Sequence, residues 1–121
     1  MPAQTGRVDI DPNPLNPIGM QGMFFHVVMM RLTDTDDAFL ARASHYAERI
    51  RRELPYVRDY HFGRNDAARA NGFTWVVIGT FDSATDHDQY QVSAVHQEMK
   101  AFMSPHIADI VVCDHDTAGG K

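Results

Sequence analysis

The chain has 121 residues, 44% of them hydrophobic and 22% charged, with a formal net charge of -5. That size fits one domain with a modest core of its own, and the acidic balance leaves no basic stripe to neutralise phosphates, so nucleic acid is excluded as a partner. No apolar run approaches the ~20 residues of a membrane span. The N-terminus lacks the basic-then-apolar layout of a signal peptide. Cys113, the one cysteine, forbids an internal disulfide and suits a reducing compartment, so a cytoplasmic protein is expected.

Residues 1–22 carry Pro2, Pro12, Pro14 and Pro17 and few large apolar groups, which predicts an irregular arm outside the core. Residues 23–32 give the strongest strand signal. Phe24, His26, Val28, Met30 and Leu32 alternate with Met23, Phe25, Val27, Met29 and Arg31, so both faces are apolar and both need cover. His26 interrupts one of them, and a histidine there needs a partner or a task.

The run Thr33-Asp34-Thr35-Asp36-Asp37 reads as a helix start, with capping side chains ahead of first-turn carboxylates. The helix is expected to reach about Leu54, with Phe39, Ala43, Tyr46, Ala47, Ile50 and Leu54 on its inner stripe, and Pro55 stops it. Residues 56–62 form a second strand, with Tyr60 and Phe62 on one face and Val57, Asp59 and His61 on the other. A polar hairpin loop at 63–72 leads to a third strand at 73–81, where Gly79 leaves a gap on the face of Phe73, Trp75, Val77 and Phe81.

After a cap at residues 82–85 comes a helical stretch ending at Ser104-Pro105. As one straight helix, it would set Tyr90 and His96 roughly 120° apart. Ser93 is a good N-cap, and Val95, Met99 and Phe102 follow at helical spacing, so the stretch reads as two short helices bent at Val92-Ser93. The bend brings the phenol and the imidazole together. His96 then falls at the third position of the second helix, where the dipole favours the neutral ring. A fourth strand at 107–115, with Ile110, Val112 and Asp114 on one face, precedes a polar tail expected to fray at 117–121.

The order βαββαβ is that of a ferredoxin-like α+β protomer: a four-stranded antiparallel sheet with its helices on one face. One helical layer covers one face, yet the first and third strands are apolar on both. A homodimer with two-fold symmetry is therefore expected, its sheets packed together as a dimeric α/β barrel over residues 23–116. The space between sheet and helices, or between the paired sheets, is a natural pocket for a small apolar or aromatic ligand.

These residues resemble the stress-responsive dimeric α/β-barrel family, often called Dabb. The likeness rests on residues 25–32, on Phe62-Gly63-Arg64-Asn65, on Phe81, on Tyr90 followed six residues later by His96, and on Val111-Val112-Cys113-Asp114. The resemblance implies the dimeric barrel. It also implies kinship with a branch that includes a plant cyclase, which closes a linear polyketide by aldol condensation without metal or organic cofactor. That family's helical motif is Tyr, two residues, then His-Pro-x-His. Tyr90 and His96 match it, while Ser93-Ala94 stand at the positions of the first His and the Pro.

The implied site is His96, Tyr90, His26 and Asp114. Asp114 would orient His96 and raise its basicity. Neutral His96 would remove a proton beside a carbonyl, and Tyr90 or His26 would donate to the oxyanion. A cofactor-free cyclase or lyase on a polyketide-like carbonyl substrate is one reading. A non-catalytic stress-response or ligand-binding protein and a cofactor-independent monooxygenase are the others, so activity as an enzyme is left open. The acidic-His runs Asp86-His87-Asp88 and Asp114-His115-Asp116 lack a recognised zinc spacing and read as exposed loops, so no metal is expected.

Overall fold

An almost unbroken apolar segment forms the strand around which the sheet assembles. The structure, a computed structural model, describes residues 22–118. The arm expected at 1–22 thus lies, Gly22 apart, outside the described residues, as does the end of the tail. The elements are β1 (Phe24–Leu32), α1 (Asp37–Glu53), β2 (Val57–Arg64), β3 (Trp75–Phe81), α2 (Ala84–Gln91), α3 (Ala94–Met103) and β4 (Ile107–Asp116), with a 3-10 turn at Ser104–His106 before β4. The strands lie in the order β2-β3-β1-β4, and every neighbouring pair is antiparallel. This is the ferredoxin-like α+β arrangement.

Alternation along β1 turns Phe24, His26 and Met30 into the core. There they meet the inner stripe of α1 (Phe39, Ala43, Tyr46, Ala47, Ile50) and Tyr90, Val95 and Met103 from α2 and α3. Each large apolar side chain so buried contributes on the order of 1.5–3 kcal/mol. The opposite face carries Phe25, Val27 and Met29, only half-buried, beside Ile78 and Val111, which are 40% and 43% exposed. Edge strand β4 also leaves Ile110 and Val112 exposed on the helix side.

Four details depart from the sequence reading. Helix α1 starts at Asp37, capped by the Asp36 carboxylate, which accepts from the Phe39 amide. The residues before it are held elsewhere: Asp34 takes a left-handed φ of 56°, and the Thr33 amide donates to the His106 carbonyl. Val57 is buried beside Tyr60 rather than facing away, because the pairing of β2 with β3 shifts between Val57 and Asp59 and resets the alternation. β3 begins at Trp75, since the Phe73 amide closes the loop on the Ala70 carbonyl. The tail is still tied at Thr117, whose amide donates to the Met23 carbonyl at 2.9 Å.

The bend falls where Ser93 lies. Its hydroxyl donates to the Tyr90 carbonyl at 2.8 Å and accepts from the His96 amide at 3.3 Å, closing α2 and opening α3.

Gly79 is the tightest point of the sheet's inner face. A Cβ there would stand 3.1 Å from ring atoms of both Tyr60 and Phe81, and neither ring has exposed surface (0% each). Neither can yield, so Gly79→Ala is expected to destabilise the fold by about 1–3 kcal/mol through overpacking. Urea unfolding reads the loss directly, and an unchanged midpoint would mean that the rings can move.

Candidate functional site

One cross-strand row supplies the floor of the site. His26 in β1 stands opposite Asp114 in β4 on one side and Gly79 in β3 on the other, and Gly79 stands opposite Tyr60 in β2. Residues paired across strands share a face, so Asp114, His26 and Tyr60 all point toward the helices. The missing Cβ at Gly79 makes room for the Tyr60 ring.

Tyr90 from α2 and His96 from α3 complete the roof. Their rings lie 4.3 Å apart between centroids, and Tyr90 is 5.6 Å from the His26 ring. His26, Tyr60, Tyr90 and His96 all line a cavity of about 230 Å³ whose other walls are largely apolar, among them Val28, Phe62, Met99 and Val112. Three of the expected site residues thus share one cavity. Asp114 is not among its lining residues and reaches His26 from outside it.

The structure corrects the expected pairing. Asp114 was expected to orient His96. Instead its Oδ1 is 2.6 Å from His26 Nδ1, because the β1–β4 register sets the two side by side. His96 is held by its own helical neighbourhood. Its Nδ1 lies 3.0 Å from the Gln91 carbonyl, which also accepts from the Gln97 side chain at 2.6 Å. The bend frees that carbonyl from helical pairing. A carbonyl only accepts, so Nδ1 carries the proton and Nε2 keeps a lone pair.

Two functional candidates escaped the sequence reading. His87 is not an exposed loop residue. It lies within α2, only 5% exposed, stacked on Phe24 at 4.6 Å, with Nε2 3.2 Å from His26 Nδ1. Its three-residue spacing from Tyr90 sets both on the inner face of a short helix, and that spacing was the available signal. The other is Tyr60, whose hydroxyl lies 2.7 Å from that of Tyr90.

The profile of the Stress responsive A/B Barrel Domain family, Dabb, matches residues 24–117. The chain belongs to the Dabb family. No curated protein matches it. Among solved structures, a hydroxynitrile lyase from Passiflora edulis is 20% identical with a TM-score of 0.70, over 79% of this chain and 94% of that one. A dimeric ferredoxin-like protein of unknown function from Thermobifida fusca is 20% identical with a TM-score of 0.67, over 78% and 91%. A Dabb protein from Mesorhizobium loti, again ferredoxin-like, is 16% identical with a TM-score of 0.65, over 78% and 95%. Likeness at these identities establishes the fold. No helix among the described residues is long and apolar enough to cross a membrane.

Burial dominates the electrostatics of this Dabb site. It lowers the pKa of His96 below the usual imidazole value; the Gln91 carbonyl opposes the shift, and the Lys100 charge adds to it. His87 is lowered by burial and by neighbouring His26, against the pull of Asp114. Burial raises the Tyr90 phenol far above its usual range, while the Tyr60 hydrogen bond works the other way. Burial and the proximity of Tyr90 raise Tyr60 as well. At neutral pH His87 and His96 are therefore neutral imidazoles beside protonated phenols.

Two outcomes follow for stability. Tyr60→Phe strands the Tyr90 hydroxyl in an apolar setting and should cost about 1–3 kcal/mol, whereas the double change to Phe should cost less than the two single changes summed. Urea unfolding of the four proteins measures this coupling. His87 and His96 have lower pKa values folded than unfolded, so protons favour the unfolded chain. Stability should be fully held above about pH 6.5 and decline as pH falls below it. Unfolding midpoints taken from about pH 8 to about pH 5 check this, and a flat profile would contradict buried neutral imidazoles.

Proposed function

We propose that the cavity binds a small carbonyl compound or its adduct and that His96 moves a proton on it, as a cofactor-free lyase or, in the condensing direction, an aldol-type cyclase. One observation carries this reading. The Gln91 carbonyl holds His96 Nδ1 at 3.0 Å, which leaves a neutral lone pair on Nε2 of a ring that lines an apolar cavity beside the Tyr90 ring. A lyase named for hydroxynitriles among the structural neighbours supports the same chemistry.

In the cleaving direction His96 Nε2 takes the proton of a cyanohydrin-like hydroxyl. The C–C bond to the leaving carbon breaks, its electron pair departs with that carbon, and the carbonyl forms. The imidazolium returns its proton to the departing carbanion. In the condensing direction the same nitrogen removes a proton alpha to a ketone, the enolate oxygen accepts from a phenol, and the enolate carbon adds to a second carbonyl, whose oxygen takes the proton back from the imidazolium. Tyr90 is that donor, with the Tyr60 hydroxyl 2.7 Å behind it as a relay. The His26–Asp114 pair orients the opposite wall. A cavity of roughly 150 Å³ is enough for benzene, so about 230 Å³ suits a one-ring compound with a short substituent better than a long polyketide chain.

The functional unit is a homodimer. Its outer sheet face sets Phe25, Val27, Met29, Ile78 and Val111 side by side with no helix over them, an apolar patch that a second copy would cover. Solved neighbours described as dimeric support this assembly. Val28 lines the cavity instead, so Val27→Asp is the change that probes the interface. Sedimentation at micromolar concentration should give a dimer for the unaltered protein and a monomer for Val27→Asp. A clean monomer for the unaltered protein overturns the assembly.

The chemistry is tested without knowing the natural substrate. A panel of one-ring ketones in D₂O is followed by NMR for exchange of alpha protons, alongside release of aldehyde from aromatic cyanohydrins. The protein should accelerate at least one of these, His96→Ala should lower that rate by about 10²–10⁴-fold, and Tyr90→Phe should lower it less. Ligand binding with no exchange and no cleavage across the panel would favour the non-catalytic reading.

A further inference from the structure

Beside the proton-transfer cavity, three elements bring one ligating atom each to a common point. His26 in β1, His87 in α2 and Asp114 in β4 offer atoms that all lie within 4.8 Å of one another. His26 Nδ1 is 2.6 Å from Asp114 Oδ1 and 3.2 Å from His87 Nε2. A carboxylate only accepts, so His26 Nδ1–H donates to Asp114 at this distance and His87 Nε2 is the more distant of two acceptors around it. His87 Nε2, 5% exposed as a residue, is left with a 3.2 Å contact to the Gln91 side-chain amide.

The geometry points to a binding site for one divalent transition-metal ion of the zinc type, held by His26 Nδ1, His87 Nε2 and Asp114 Oδ1. A cation at the common point replaces the shared proton and takes all three lone pairs at once. Two imidazoles and a carboxylate are the donor set of borderline ions such as Zn²⁺, Co²⁺ and Fe²⁺, whereas Mg²⁺ and Ca²⁺ prefer oxygen throughout. Metal–ligand bonds of about 2.0–2.1 Å in a tetrahedron hold ligand atoms about 3.3 Å apart. The two imidazole nitrogens already stand at 3.2 Å. Asp114 must withdraw from His26 by somewhat more than half an ångström and swing to about 3.3 Å from His87 Nε2, from which it now lies within 4.8 Å, and its side chain is 38% exposed.

The supporting shell favours the same use. Phe24 stacks on the His87 ring at 4.6 Å and Phe81 meets it edge-on at 5.3 Å, so the ring is held without the metal. The partly exposed Asp114 gives the ion a route in. Three protein ligands leave a coordination position open, as catalytic zinc sites do, and Gln91, whose side-chain amide contacts His87 Nε2 at 3.2 Å, also lines the cavity. None of this depends on His96 acting as a base.

The test uses the full-length protein, stripped with a chelator and titrated with Co²⁺ under visible spectroscopy and then with Zn²⁺ by calorimetry. One Co²⁺ per chain should bind with the intense d–d absorption of a low-coordinate site, and Zn²⁺ should displace it. Zn²⁺ should also raise the unfolding temperature by mass action. Asp114→Asn and His87→Phe should each weaken binding by more than the ~10–100-fold typical of losing an outer-shell partner, while His115→Ala and His61→Ala leave it unchanged. Asp114 is partly exposed, so its variant stays informative if the His87 variant fails to fold. Absence of the d–d band, or binding that survives Asp114→Asn and is lost with His115→Ala, overturns the site.

Discussion

The hydroxyl of Ser93 holds the site together by ending one helix and beginning the next. It satisfies the Tyr90 carbonyl and the His96 amide at the same time, so the chain turns between the two residues whose side chains must meet. An uninterrupted helix would point them roughly 120° apart. Breaking a helix also strips a carbonyl of its usual partner. Here that carbonyl belongs to Gln91, and His96 itself is one of the groups that satisfies it. The break therefore does two things: it gathers the rings and it selects which imidazole nitrogen keeps its lone pair. Val92, 78% exposed at the bend, contributes nothing to the core, and the backbone turn is its whole role.

Below this roof the sheet contributes a single row of residues, and the row explains the division of labour among the polar groups. Asp114, His26, Gly79 and Tyr60 are set abreast by hydrogen-bond register alone. Register decides which carboxylate meets which histidine, and it gives Asp114 to His26. His96, on a helix, takes its partner from the backbone instead. The two imidazoles thus have different chemistry, one beside a carboxylate and the other held neutral by burial, with its tautomer fixed by a carbonyl.

Much of this could be read from the chain because the signals were local. Alternation over residues 24–32, the inner stripe of α1 and the serine between two helical runs each act within a few residues, and each formed as read. What escaped was set by distant partners. The shift between Val57 and Asp59 is a property of two strands in register, which the sequence of β2 alone does not contain. His87 looked solvated because Asp86 and Asp88 flank it, yet on a helix those neighbours point elsewhere, and its fellow on the inner face is Tyr90. The choice of His26 over His96 as the partner of Asp114 likewise depends on a pairing between residues 88 positions apart.

That separation has a consequence for how the protein is made. β1 lies inside the sheet, but one of its two neighbours, β4, is synthesised after all the other described elements. Until β4 emerges, the backbone groups of β1 along that edge have no strand partner, and the His26 ring has no carboxylate. Contacts that span nearly the whole chain close late and slow folding. An incomplete chain on the ribosome exposes an apolar strand edge of the kind that recruits other chains. Completion of β4 therefore protects the nascent protein from misassociation and, in the same event, furnishes the carboxylate its first histidine requires.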